Sequence, residues 1–185
     1  MPLWRQQLTK SLHQSRNTPE SRYFQLATCD HQGLPQCRTV VFRGLTDNNA
    51  LEVISDLRTS KYREMTYQPQ VQVCWYFAKT REQYRFTALS DVITVNDDPQ
   101  QVSAHWQKLS DAGKKQFLWG EPDSHRDPSL PLVAEGDFDE VPAHFCLLHL
   151  KIQAVDYLNL RGNPQLREKH VMDADGKWLA KPVIP

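Results

Sequence analysis

The stretch Arg38-Thr39-Val40-Val41-Phe42-Arg43-Gly44, followed by Glu52-Val53-Ile54-Ser55-Asp56, decides the fold of this chain. Both runs are rich in β-branched residues, and the turn residues Asp47-Asn48-Asn49 separate them. The pattern therefore predicts two consecutive antiparallel strands. Cationic side chains stand at both ends of the first run, and no acidic residue lies between Arg38 and Arg43.

A short helix is predicted directly after the second strand, over residues 60–68, where Pro69 ends it. Ser60 and Lys61 lie in its first turn, where unpaired backbone N–H groups and the helix dipole favour an anion. Together with Arg38, they indicate a binding site for a phosphate monoester. The same residues also fit a solvated hairpin edge with scattered charges. On spacing alone, this second interpretation is favoured over an anion site.

Length, charge and cysteine content limit the class of protein. The 185 residues predict one domain over 1–185, and 22 basic against 22 acidic residues leave no field that favours nucleic acid or an anionic membrane. No signal peptide or run of roughly 20 apolar residues is present, so a cytoplasmic protein is expected. The isolated cysteines predict buried free thiols and no zinc site or disulfide: Cys29, Cys37, Cys74 and Cys146.

The hydrophobic pattern predicts a small antiparallel barrel with helices around it. An amphipathic helix is expected over 2–15, and Asp30-His31-Gln32-Gly33 indicates a hairpin turn. The predicted strands cover 22–30, 35–44, 51–55, 71–78, 83–95, 143–159 and 167–172, with Trp178-Leu179 pairing behind the last. The apolar run 71–78 is expected to be buried on both faces.

Two helical segments are predicted after the fifth strand. Asp97 or Asp98 caps the first near Pro99, and Val102, Trp106 and Leu109 recur at helical spacing. A second short helix is expected over 114–119. The proline-rich segment 120–143 predicts a flexible flap near the site, because loops of this length inside a domain are usually functional or mobile.

Other functional sites are disfavoured. His144 and His149 are five residues apart on a predicted strand, so they face opposite sides and cannot share a metal. Cys74 lies within an apolar strand, where a thiol is typically inert. The chain contains neither Gly-x-Ser-x-Gly nor Gly-x-Gly-x-x-Gly, which disfavours a hydrolase of that type and the usual dinucleotide fold.

The anion-site segments resemble the pyridoxamine 5'-phosphate oxidase family, which binds flavin mononucleotide (FMN). Arg38 to Arg43 resembles its Arg-x-Val-Leu-Leu-Lys strand, Ile54-Ser55-Asp56 its Tyr-Thr-Asn, and Ser60-Lys61 its Arg-Lys pair. The run Leu26-Ala27-Thr28-Cys29-Asp30, with Gly33 and Pro35, is similar to its entry hairpin, and Glu82-Gln83-Tyr84-Arg85-Phe86 to a later strand.

This resemblance implies an antiparallel six-stranded split β-barrel with flanking helices, and a homodimer with FMN at each of two subunit interfaces. Arg38, Ser60 and Lys61 would hold the phosphate, and backbone groups of 40–42 would face the ring edge. Gln83 would come from the partner subunit. The full implied FMN-binding set is Arg38, Thr39, Val40, Val41, Phe42, Arg43, Ile54, Ser55, Ser60, Lys61, Gln83 and Arg167.

Three departures from the family pattern bear on activity. Ser60 stands where the family has Arg, Leu158 where it has Trp, and Asn163-Pro164-Gln165-Leu166 lacks the Arg-x-His that holds a pyridoxal-type substrate. FMN binding is thus better supported than vitamin B6 chemistry. We expect an FMN-dependent oxidoreductase that oxidises a small amine or accepts hydride from a reduced nicotinamide. A non-catalytic FMN carrier and a barrel for another phosphorylated ligand are the alternatives.

Overall fold

The chain folds into one antiparallel sheet that closes on itself. The structure is a computed structural model that describes residues 1–132 and 140–185. Its strands are β1 Tyr23–Cys29, β2 Pro35–Leu45, β3 Ala50–Asp56, β4 Gln70–Phe77, β5 Glu82–Ile93, β6 Phe145–Asn159, β7 Leu166–Met172 and β8 Trp178–Val183. Its helices are α1 Leu3–Gln14, α2 Ser60–Tyr67, α3 Pro99–Gln107 and α4 Asp111–Lys115, with 3₁₀ turns at Pro19–Arg22 and Gln116–Leu118.

Pairing of β3 with β6 closes the barrel. The strand order is β3-β2-β1-β4-β5-β6, and β3 pairs back with β6 from Ala50 opposite Lys151 to Asp56 opposite Phe145. Six strands therefore form a closed wall, while β7 and β8 extend the sheet outward from β6. This architecture confirms the predicted six-stranded split barrel with flanking helices.

Aromatic side chains fill the barrel, because alternate residues of each strand point inward. Trp75 lies at the centre of this packing, with its ring 5.3 Å from Phe24, 4.8 Å from Phe42 and 5.0 Å from Phe77 between centroids. Helix α1 covers one end of the barrel. Trp4 and Leu8 are both 0% exposed, as the spacing of apolar residues in this helix predicted.

A buried polar network ties α1 to the barrel. The Ser11 hydroxyl lies 2.6 Å from Glu82 Oε2 and 2.8 Å from the Tyr84 hydroxyl, and the Tyr157 hydroxyl donates to Glu82 Oε1 at 2.6 Å. Burial raises the pKa of Tyr84 and of Tyr157, so both phenols stay protonated. Burying these polar groups is tolerated because each has a partner.

Two expectations about burial were wrong. Strand β4 is not buried on both faces, because its residues alternate and Gln70, Gln72 and Tyr76 lie exposed on the outer wall. The thiols are not all buried either. Cys146 is buried, Cys37 is exposed, and the other two lie in between, because these three β1, β2 and β4 thiols alternate onto the outer face.

Other local expectations were confirmed. Asp98 caps α3 by accepting a hydrogen bond from the Gln101 backbone N–H at 2.9 Å, and Val102 and Trp106 are buried. The segments 120–132 and 140–143 contain neither helix nor strand, and 133–139, the rest of the proposed flap, lies outside the described residues. None of the helices in the described part of the chain is long and apolar enough to cross a membrane.

Replacement of Leu8 by Ala tests the role of α1 in covering the barrel core. Because Leu8 is fully buried, the Leu8→Ala change should lower the free energy of unfolding by about 2–5 kcal/mol. Denaturant unfolding measures the change. Leu3→Ala in the same helix is the matched control, since Leu3 is 45% exposed, and it should cost no more than about 0.5 kcal/mol. Equal losses for both variants would contradict this account of α1.

Candidate functional site

The end of β3 and the start of α2 place a cluster of hydroxyls around one lysine. Thr59 precedes α2 in an extended conformation, and its hydroxyl donates to the Asp56 carbonyl at 2.7 Å. Lys61 Nζ donates to Thr59 Oγ1 at 3.1 Å and to Ser55 Oγ at 3.3 Å. Ser60 is the first residue of the helix and lies beside them. This cradle therefore combines hydroxyls, a helix N-terminus and an ammonium group.

Lys61 is the cation of this cradle that lacks a counter-ion. Across residues 1–132 and 140–185, its ammonium group forms no ion pair with a carboxylate. Burial lowers the pKa of Lys61, and the nearby Arg38 lowers it further. Both effects disfavour the charged form of Lys61, and an anion bound here would stabilise that form. The residues therefore fit a phosphate group.

Arg38 faces the same cradle but is already paired. Its Nη2 lies 2.7 Å from Glu64 Oε2, and its Nη1 donates to the Thr28 hydroxyl. Thr28 donates in turn to Glu64 at 2.5 Å, and both Thr28 and Glu64 are buried. Arg38 is thus held in one orientation. The carboxylate offsets its charge, so the net positive charge of the cradle comes from Lys61.

Thr28, Thr59 and Glu64 were missed by the sequence analysis. One signal was available for Glu64, because it lies four residues after Ser60 on α2 and so faces the same side of the helix. Thr59 could have been suspected as a helix cap. No pattern in the sequence indicated that Thr28 would contact Arg38, since that contact depends on the pairing of β1 with β2.

Strand β2 has an open edge beside this cradle. It pairs with β1 along Pro35 to Val41 but with β3 only from Phe42 onward. Among the described residues, no strand therefore pairs with the backbone groups of β2 that lie before Phe42 and face away from β1, so they can bind the edge of a flat ring. The Val40 side chain is buried and Thr39 is exposed on the outer wall, so Val40 could contribute only through its backbone.

A β-bulge turns Arg43 toward a second cleft. Phe42 lies opposite Val53 and Gly44 opposite Glu52, which leaves Arg43 as the extra residue. The cleft has a volume of about 260 Å³. It is lined by Arg22, Val41, Phe42, Arg43, Glu52, Ile54, His105, Lys108 and Leu109. Four predicted site residues thus meet here, on the same strands that carry Arg38 and Ser55.

Gln83 and Arg167 form a separate group. Gln83 pairs with Leu158, and Leu158 pairs with Arg167, so the three lie in one row across β5, β6 and β7. In the closed wall, β5 lies opposite β2. Arg167 donates two hydrogen bonds to Asp156, at 2.9 and 2.8 Å, which hold the pKa of Asp156 below its usual range. Within one copy of the chain, the predicted FMN-binding residues therefore lie in two separate groups: one on β2, β3 and α2, and the other on β5 and β7.

Part of the proposed flap lies beside the connection between β3 and α2. Residues from 116 to 132 line a cavity of about 410 Å³ together with Asp56 and Arg58. Arg58 donates to the Trp119 carbonyl at 3.3 Å and pairs with Asp56 at 2.7 Å. The segment is thus near the cradle, as expected, and its mobility stays a prediction.

Comparisons with known proteins agree with this geometry. Residues 1–94 match the family model for the pyridoxamine 5'-phosphate oxidase FMN-binding domain. The chain is similar to pyridoxine/pyridoxamine 5'-phosphate oxidase 2 of Arabidopsis thaliana, with 30% identity over 98% of this chain and 96% of the relative.

Solved structures extend the comparison. A pyridoxamine 5'-phosphate oxidase-related, FMN-binding protein from Nostoc punctiforme is 37% identical, with a TM-score of 0.90 over 100% of this chain and 99% of that chain. PhzG from Burkholderia lata, in complex with tetrahydrophenazine-1-carboxylic acid, shares the fold at 15% identity, with a TM-score of 0.79 over 97% of this chain and 91% of that chain. The chain therefore belongs to the pyridoxamine 5'-phosphate oxidase family of FMN-binding domains, and FMN is its cofactor.

Proposed function

We propose that the protein is an FMN-dependent oxidoreductase whose cradle around Lys61 holds the FMN phosphate. The observation that carries this proposal is the partly buried Lys61 ammonium, which has hydroxyl partners and no counter-ion in the described chain. Arg38, oriented by Glu64, and the backbone N–H groups at Ser60 would complete the phosphate contacts. FMN supplies a ring that accepts a hydride from a substrate.

The ring would lie along the open edge of β2, between the cradle and the bulge at Arg43. Backbone N–H groups held in a strand cost no reorganisation when charge develops on a bound ring. Val41, Phe42 and Ile54 would then contact the ring from the same wall. This placement uses every member of the predicted set that lies on β2 and β3, except for the exposed Thr39.

We propose that a homodimer completes the site. Gln83 and Arg167 lie on the far side of the barrel from Arg38, so they could reach a bound FMN only on a second copy of the chain. In a two-fold dimer, the residues around Lys61 in one subunit would meet Gln83 and Arg167 of the other. The same contact would occur a second time with the subunits exchanged, since the interface uses the same surface on both subunits. Arg167 would give up one of its two hydrogen bonds to Asp156 and donate to FMN instead. Alternatively, it would keep both and hold Asp156 in position at the FMN site.

The cleft beside Arg43 is the proposed substrate site. Arg22, Arg43 and Lys108 line it, so it favours an anionic substrate. A phosphorylated amine or alcohol, of the type named for the plant relative, and a reduced nicotinamide nucleotide both carry the required charge. Because the chain lacks the Arg-x-His of the family pattern, a B6 phosphate substrate would depend on these cations instead.

Replacement of Lys61 by Met tests the phosphate cradle. The change removes the ammonium and keeps much of the side-chain length, so FMN affinity should fall about 10- to 100-fold, as for loss of a hydrogen bond to a charged group. Titration of the apoprotein with FMN, followed by flavin fluorescence, measures the affinity. Lys79→Met removes an exposed lysine outside the cradle and is the matched control. Equal affinities for the two variants would refute the cradle.

Turnover assays test the oxidoreductase proposal. The FMN-loaded protein should lose its oxidised flavin absorption when mixed without oxygen with pyridoxamine 5'-phosphate, pyridoxine 5'-phosphate or a reduced nicotinamide. Admission of air should restore the absorption. A protein that retains FMN but is bleached by none of the three would be assigned instead to the non-catalytic FMN carriers.

Mixing of two variants tests whether each site spans two subunits. Lys61→Met damages one group and Gln83→Leu the other, so each homodimer should bind FMN weakly. Unfolding and refolding an equal mixture should restore normal affinity in about a quarter of the sites, because half of the dimers are mixed and each has one intact site. Recovery of no tight sites, with each variant folded and dimeric, would show that Gln83 and Lys61 act on FMN from the same subunit and would refute a site that spans two subunits.

A further inference from the structure

A carboxylate shared by two histidines lies where α3 meets the barrel. Glu52 Oε1 on β3 is 3.3 Å from His149 Nε2 on β6 and 3.7 Å from His105 Nε2 on α3. Each of the three side chains is 13% exposed. Hydrogen bonding from His149 holds the pKa of Glu52 below its ordinary value, so this carboxylate is ionised near neutral pH.

The hydrogen bonds of His105 determine which nitrogen can accept a proton. Its Nδ1 lies 3.0 Å from the Gln101 carbonyl oxygen, which can only accept. Nδ1 therefore carries the hydrogen of the neutral ring, and Nε2 carries the lone pair. A proton that arrives at Nε2 would produce an imidazolium directly beside the Glu52 carboxylate, whose charge would stabilise it.

This histidine also lines the proposed substrate cleft. Among the described residues that line the cleft, the cations Arg22, Arg43 and Lys108 are donors near neutral pH. Glu52 is a weak base because its pKa is lowered. Histidine is the side chain that changes charge between pH 5 and 8. His105 is therefore the group of this cleft best suited to take up a proton during turnover.

We propose that His105 is the catalytic base of the cleft and that Glu52 is the positioning residue that stabilises its protonated form; the proposal rests on the function proposed above. FMN, when bound, would supply the oxidant that takes the substrate's C–H hydrogen with its electron pair as hydride. His105 Nε2 would take the N–H or O–H proton of the substituent on the same carbon, so that a C=N or C=O bond forms. Dioxygen or another acceptor would take up the two electrons.

The pH dependence follows from the groups around His105. Glu52 of β3 lies 3.7 Å from its ring, and His149 of β6 shares that carboxylate. The same cleft is lined by Arg43 of β2, Arg22 of the first 3₁₀ turn and Lys108, which follows α3. The base acts in its neutral form, so the rate should fall in acid, where that form is lost. Glu52 favours the imidazolium, so its removal should shift this fall in rate to lower pH.

Kinetics of FMN-loaded variants test the proposal, with pyridoxamine 5'-phosphate and pyridoxine 5'-phosphate as probes and wild type as reference. His105→Gln should reduce kcat about 100-fold or more and abolish the acid limb of the pH profile, while FMN affinity stays within twofold. Glu52→Gln should retain the acid limb but move it to lower pH. His31→Gln, in an exposed turn, is the control and should match wild type.

A second readout does not depend on turnover. The imidazole ring protons of His105, assigned by through-bond experiments on isotope-labelled wild type, can be followed by NMR against pH in the FMN-loaded protein. Their titration midpoint should fall in Glu52→Gln relative to wild type. This comparison decides the coupling of Glu52 to His105 even if the His105→Gln variant does not fold.

The outcomes separate this inference from the proposed function. If wild type is active and His105→Gln keeps the wild-type rate and acid limb, the inference is overturned and the proposed function stands. An unmoved NMR midpoint in Glu52→Gln would overturn the role of Glu52. Wild-type protein that binds FMN but oxidises neither probe nor a reduced nicotinamide would refute the proposed function, and this inference with it.

Discussion

Pairing of β3 with β6 is the constraint on which the rest of the structure depends. Seven consecutive residue pairs join the two strands, and the backbone N–H of Leu57 extends the contact by donating to the His144 carbonyl at 2.8 Å. Because a closed barrel has no free edge at this seam, the end of β3 is held rigidly. Ser55 and the start of α2 are held with it, so the cradle is built before any ligand arrives.

The two cations of the cradle have different physical roles. Arg38 is locked by Glu64 and Thr28, so it offers donors in a known direction but little net charge. Lys61 keeps its charge without a carboxylate partner in the described chain. Fixed donors bind without reorganisation, whereas an uncompensated ammonium group gains most from a bound anion. This division lets a site with Ser60 in place of an arginine still attract a phosphate.

Charge is concentrated locally in a chain with no net charge. The cleft beside the β-bulge has three cations and one shared carboxylate, while acidic residues elsewhere balance them. The bulge itself makes this arrangement possible, because the extra residue redirects Arg43 out of the regular alternation of β2. Helix α3 then brings His105, and Lys108 just after its end, to the same cleft from a segment far away in sequence.

The sequence by itself determined the strands, the helix spacing of α1 and α3, the family and the segments that form the cradle, because these depend on local patterns and short motifs. It did not determine that Glu64 neutralises Arg38 or that Glu52 meets His105 and His149. Those features arise where strands and helices distant in sequence are brought together by barrel closure. The tertiary structure alone decided them, because the pairing of side chains across a barrel depends on register and curvature, which no local pattern encodes.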